Sequence, residues 1–307
     1  MKYELAQALL FFFALGVVVA LSAGALIGLT TGLLGVTGIN FVLLPPLLKI
    51  FTGSQGPSVL SIGSSVCSLL ALSVAAFCHH RRGAVDWRAA GVLGGTMILL
   101  LMALRYVRIR PELALGHENW AGWMRFAPGM GALALALVLA ACAAWMLFGK
   151  PVEPREERPG PAALTGMSLC LLLVIILPYC ASVILRLCPP AVFAFWLAFP
   201  LLFAMLLVVP CLLGNGVTMR RAVGTSAAAL LIALPFGAAR SLPLQLRHLH
   251  VDPVIFYGCL ALAACTSILC AWLGVKLAHR LPERRLKAGY AVLLCVVAAE
   301  ICRRALV

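Results

Sequence analysis

Apolar residues run through this chain in long blocks, broken at intervals by short clusters of arginine, proline and glycine. An α-helix needs about 20 residues to cross the hydrocarbon of a bilayer. Blocks near that length lie at 8–29, 57–78, 89–107, 126–148, 163–186, 191–213, 221–240, 254–278 and 286–306. The pattern predicts an all-α fold, a polytopic transmembrane helical bundle of about nine spans. The apolar run 39–51 is shorter and contains Pro45-Pro46. A piece of that size suits a re-entrant segment or half of a broken helix, so a break is expected near 30–51. The first block, with Lys2 ahead of it and Ser22-Ala23-Gly24-Ala25 at its end, has some features of a secretory signal. A Gly/Thr-rich stretch begins only a few residues on, and the block reads better as the first span.

The segment 150–160, KPVEPREERPG, has four prolines or glycines and six charges, and no apolar helical period. It is expected to be a solvated linker, 150–162, between a first membrane repeat at 1–149 and a second at 163–307. The halves share landmarks. Gly63-Ser64-Ser65 is matched by Gly224-Thr225-Ser226, and Val85-Asp86-Trp87 by Val251-Asp252-Pro253, in the same order and at nearly the same offset. That is the mark of an internal duplication. With nine spans the repeats are inverted, an arrangement that places a transporter's site near the midplane, where the repeats meet. The distribution of Lys and Arg narrowly favours a cytoplasmic 79–88 loop, with the N-terminus on the same side.

Composition reinforces the pattern: 63% of residues are hydrophobic and 11% charged, against about a quarter charged in a soluble domain. The formal net charge of +14 sits mostly between apolar blocks, where Lys and Arg anchor to headgroups. No basic stripe interleaved with aromatics occurs, so nucleic acid is not an expected partner. The 12 cysteines lie mostly inside apolar blocks, with no C-x-x-C pair or Cys/His cluster at metal spacing. They read as small buried hydrophobes, with no metal and no cofactor implied.

None of the ten carboxylates falls at the centre of a predicted span. Cation carriers and proton pumps keep such groups, because a charge there costs about 3 kcal/mol and is retained for function. The spans offer hydroxyls, glycines and prolines instead. Gly28 to Gly38 has four glycines and three threonines. If it breaks the helix, freed backbone N–H groups and a positive helix end would face an anion. Thr30, Thr31, Gly35, Thr37, Gly38 and Asn40 are the candidate binding residues there. Close helix packing through spacings such as Gly28 to Gly32 is the competing explanation. Ser64, Ser65, Thr225 and Ser226 either cap helices or bind solute, and Arg221 is placed to draw an anion towards Thr225. His79 to Arg82 reads as a headgroup anchor, and His279 as a loop residue without a partner. No nucleotide-binding loop, serine-hydrolase elbow or zinc-protease motif is present, so neither ATP-driven transport nor an enzyme is expected.

At these residues the chain resembles the TauE/SafE family of sulfite exporters. The likeness rests on GLLGVTGINFVLLPPLL at 32–48, HHRRGAVDWR at 79–88, MRRAVGTSAAALL at 219–231 and WLGVKLAHRLPERRLKAGYAVLL at 272–294. The family's turn is usually richer in glycine where this chain has Thr37, Ile39 and Asn40. The second half, FWLAFPLLFAMLLVVP at 195–210, lacks that turn. The resemblance implies a multi-pass permease of the cytoplasmic membrane that handles sulfite, sulfonates or related small anions. Its partners would be a small anionic solute and lipid, and the pattern is compatible with a homo-oligomer. A non-transporting assembly or scaffold protein is the alternative, since it needs neither broken helices nor paired hydroxyl motifs.

Overall fold

The structure, a computed structural model, describes residues 2–36, 56–109, 127–149, 160, 162–169, 206–247 and 253–306. Seven helices are described along their whole length: α1 (Lys2–Leu34), α2 (Gly56–Arg81), α3 (Trp87–Ile109), α4 (Ala127–Phe148), α5 (Met219–Arg247), α6 (Pro253–Arg280) and α7 (Glu283–Leu306). Residues 162–169 and 206–214 are helical too, and no strand occurs among the described residues. Seven of the predicted spans coincide with a helix, and the other two contain these shorter stretches. The protein is a polytopic helical bundle.

Apolar segments long enough to cross a membrane lie at Gly16–Leu34, Gly63–Arg81 and Tyr257–Arg280, with shorter ones at Trp87–Met102 and Ala136–Phe148. Their outer faces carry exposed Phe77, Leu99, Leu137, Phe148 and Leu269. Water penalises such a surface and lipid does not.

The chain forms two compact units, Met1–Gly83 with Leu234–Arg280, and Ala84–Ala233 with Leu281–Val307. Each unit draws on both predicted repeats. Helix α5 contributes to both, and the division falls one residue before Pro235, which has no N–H for the helical ladder.

In the first unit α1, α2 and α6 pack side by side. Gly24, Gly28 and Gly32 form a ridge on α1, one residue per turn. A Cβ on them would collide with the carbonyl oxygens of Ala263, Ser267 and Ala271 respectively, and Gly274 of α6 closes on the Leu29 carbonyl from the other side. Glycine alone lets two backbones meet this closely, the usual basis of tight pairing in membranes. Ile27, Cys67, Ala71 and Ala271 fill the space between the three helices. Positions ascend together along α1 and α6, and Gly63 to His79 of α2 likewise ascends against Leu260 to His279. All three helices are therefore parallel. The start of α1 and the end of α2 lie at opposite ends of the unit, which corrects the expectation that Met1 and the 79–88 loop share a side.

In the second unit α3 runs parallel to α5, with Gly94 packed against Ala229 and Ile232, while α4 packs along α7. Tyr290 of α7 is fully buried, and its hydroxyl donates to the Leu206 carbonyl at 2.8 Å.

Candidate solute site

The Gly/Thr-rich stretch divides its roles by position. Gly28 and Gly32 stay inside α1 and serve packing, as the competing explanation held. The helix ends at Leu34, and Gly35 follows at φ 67°, a left-handed conformation natural to glycine, with its N–H on the Thr31 carbonyl at 2.9 Å. So α1 ends within 30–51, at a carboxyl end, and the expected broken or re-entrant segment lies outside the described residues. An amino end was expected there. Thr37, Gly38 and Asn40 lie outside the described residues.

Neighbouring threonines differ in state. The Thr30 hydroxyl bonds back to the carbonyls of Leu26 at 2.7 Å and Ile27 at 3.1 Å. Thr31 is 0% exposed, and its hydroxyl has no hydrogen-bond partner among the described residues. A buried hydroxyl without a partner costs about 1–3 kcal/mol.

Beside it sits a contact that the sequence did not reveal. His79, in the last turn of α2, is fully buried. Its Nε2 lies 3.2 Å from the Gly32 carbonyl and its Nδ1 3.1 Å from Nε2 of His279 in the last turn of α6. Arg82 donates to the Val275 carbonyl at 3.2 Å. His79 is thus a link between three helices, and His279 is its partner. Nothing in the local spacing announces a pair 200 residues apart. The one available signal was that both histidines close an apolar span.

Ser64 and Ser65 are buried in the first half of α2. Fourteen residues separate Ser65 from His79, roughly 20 Å of helix at 1.5 Å per residue. The structure therefore does not bring them to Thr31.

In the second unit the paired motifs form a capping system. Asp86 precedes α3, and its Oδ1 accepts from the backbone N–H groups of Arg88 at 3.0 Å and Ala89 at 3.2 Å, as an N-cap should. Its own N–H donates to the Thr225 hydroxyl oxygen at 3.1 Å. Thr225 and Ser226 are both buried in the second turn of α5. The positive end of α5 is held by a side chain, since Glu283 Oε1 accepts the Met219 N–H at 2.8 Å. Arg220 donates to the Leu281 carbonyl at 3.0 Å, and Arg221 is half-buried. The three carboxylates whose side chains are described are all engaged: Asp86 and Glu283 as caps, Glu300 with Arg303 through two 2.8 Å bonds. Among the described residues no group of three or more His, Cys, Asp or Glu is arranged to hold a metal.

Apolar membrane-length helices and a glycine-sealed parallel packing define a multi-pass helical membrane protein. The family model for the sulfite exporter TauE/SafE matches residues 19–301, nearly the whole chain, and the chain belongs to that family. Comparisons with curated proteins and with solved structures found no match.

Proposed function

We propose that the protein is a permease of the cytoplasmic membrane for a small sulfur-containing anion of the sulfite and sulfonate type. Family membership supports an exporter-like role. The observation that supports the site is the Thr31 hydroxyl, fully buried and without a hydrogen-bond partner among the described residues, one turn before the left-handed Gly35. A scaffold gains nothing from an unsatisfied buried donor, whereas a carrier that trades solute for emptiness needs one. The candidate residues of the first unit are Thr31 and Gly35, with Thr37, Gly38 and Asn40 beyond. Those of the second are Arg221, Thr225 and Ser226.

Purified protein in liposomes should exchange labelled sulfite across the membrane. Thr31→Val removes the hydroxyl at nearly constant volume. It should lower exchange at least tenfold while leaving thermal stability unchanged or raised by about 1 kcal/mol, because the orphan is gone. Full exchange by Thr31→Val would remove this residue from the site.

A further inference from the structure

The exposed faces of α2 and α6 repeat one order of residues. On α2, exposed Leu70 is followed by exposed Phe77 and then by Arg81; on α6, exposed Leu269 is followed by Trp272 and then by Lys276 and Arg280. Each aromatic ring lies one turn before its cation. Arg81 holds its guanidinium 5.1 Å from the centre of the Phe77 ring, and Lys276 its ammonium 3.3 Å from that of Trp272. Phe77 is 57% exposed and Trp272 43%, so both stacks stand on outer faces. Since α2 and α6 are parallel, both faces pass from apolar to aromatic to cationic towards the same end. A membrane protein meets that order on leaving hydrocarbon for headgroups.

Lipid covers such faces in any bilayer, and the charges decide which headgroup suits them. The described Lys and Arg at this end of the first unit are Arg81, Arg82, Lys276 and Arg280. Three helices end here, and a carboxyl end carries roughly half a negative charge, so four full charges outweigh the dipoles. Carboxylates do not make up the difference. The sequence of this unit has two, Glu4 at the start of α1 and Asp252 just ahead of Pro253, where α6 begins. The next carboxylates along the chain after α2 and α6 are Asp86 and Glu283. Both accept backbone N–H groups, Asp86 at the start of α3 and Glu283 at the start of α5. An ammonium or guanidinium lying on a ring face still has hydrogens to donate elsewhere.

We propose that the outer carboxyl ends of α2 and α6 are a docking surface for anionic phospholipid. The headgroup phosphates lie against Arg81, Lys276 and Arg280, and the acyl chains run past Phe77, Trp272 and Leu269. A zwitterionic headgroup brings an ammonium of its own, which these cations repel, whereas an anionic one brings only the charge that they lack. Each Lys or Arg near an anionic surface strengthens the attraction about fivefold. The surface is separate from the solute site, so it stands or falls apart from the permease reading.

Titration of detergent-purified protein with phosphatidylglycerol or phosphatidylcholine, read by native mass spectrometry and by melting, provides the test. Wild type should bind phosphatidylglycerol at least tenfold more tightly, with a preference that narrows at high salt. The double variant Lys276→Gln, Arg280→Gln changes only outward positions. It should keep its lipid-free melting temperature and lose at least fivefold of the preference, and Lys276→Arg should retain it. Equal affinity of wild type for the two lipids, or an undiminished preference in the double variant, would overturn the proposal. So would soluble glycerol phosphate that raises melting as much as phosphatidylglycerol does, since the surface would then be a plain anion site. Crosslinking between copies through Leu269→Cys, in a background without native cysteines, would assign the face to a second chain and equally exclude lipid.

Discussion

The backbone N–H of Asp86 donates to the hydroxyl of Thr225 across 3.1 Å, joining residues 139 apart in the chain. Two motifs that look separate in the sequence, Val85-Asp86-Trp87 and Gly224-Thr225-Ser226, are therefore one structural device. Asp86 caps α3 with its side chain and leans on α5 with its backbone. The Thr225 oxygen is the acceptor of this bond.

Thr225→Val should leave the Asp86 N–H without its partner and cost about 1–3 kcal/mol. Thr225→Ser keeps the oxygen and should cost under about 1 kcal/mol. Melting of detergent-purified protein separates the two. If the hydroxyl also binds solute, Thr225→Val will exchange less sulfite per folded molecule, while equal exchange leaves Thr225 as a strut alone.

The glycine ridge makes a second prediction. A methyl at Gly28 or Gly32 meets backbone of α6, which cannot rotate away. Each alanine variant should lose about 1–3 kcal/mol. Gly91→Ala, where nothing lies within 4 Å, should be neutral or slightly stabilised in its helix. Equal melting of all three would contradict the close approach.

Topology can be checked by labelling. In a background without its native cysteines, Lys2→Cys and Arg82→Cys should react with an impermeant maleimide from opposite sides, because α1 and α2 are parallel. Gly116→Cys, one span beyond Arg82, should label from the Lys2 side. Labelling of Lys2→Cys and Arg82→Cys from one side would contradict the packing of the first unit.

Charge selectivity is the fourth. Predicted spans with no carboxylate at their centres give a cation no counter-charge there, and desolvating an unpaired ion costs several kcal/mol. The protein should carry sulfite-like anions and ignore sodium, potassium and divalent metals. Arg221→Gln should reduce anion uptake a few-fold at low salt and less at high salt, since a charge at an entrance acts through a screened field. Metal flux without anion flux would reverse the assignment.

The helices were legible because lipid demands long apolar blocks, and seven of those blocks are helices within a few residues of their expected ends. The role of Gly28 and Gly32 was legible only as a choice, since the same spacing serves a break and a packing ridge. Their partner on α6 settled it. His79 and His279 were hidden for another reason. Each sits in a basic cluster that looks like an ordinary headgroup anchor, and the parallel arrangement of α2 and α6 brings a nitrogen of one ring within 3.1 Å of a nitrogen of the other. The direction of α1 against α2 was equally out of reach, because periodicity carries no sense of up or down.

Among the described residues the glycine ridge of α1 meets α6, more than 200 residues later in the chain. A ribosome adding about 5–20 residues per second needs roughly 10–50 s to make that distance. Through that interval the notched face of α1 has not yet met α6. Assembly of the first unit is thus a late event in biogenesis, and a chain that stops before residue 253 leaves a small-residue face open to any neighbouring helix, a natural target for quality control.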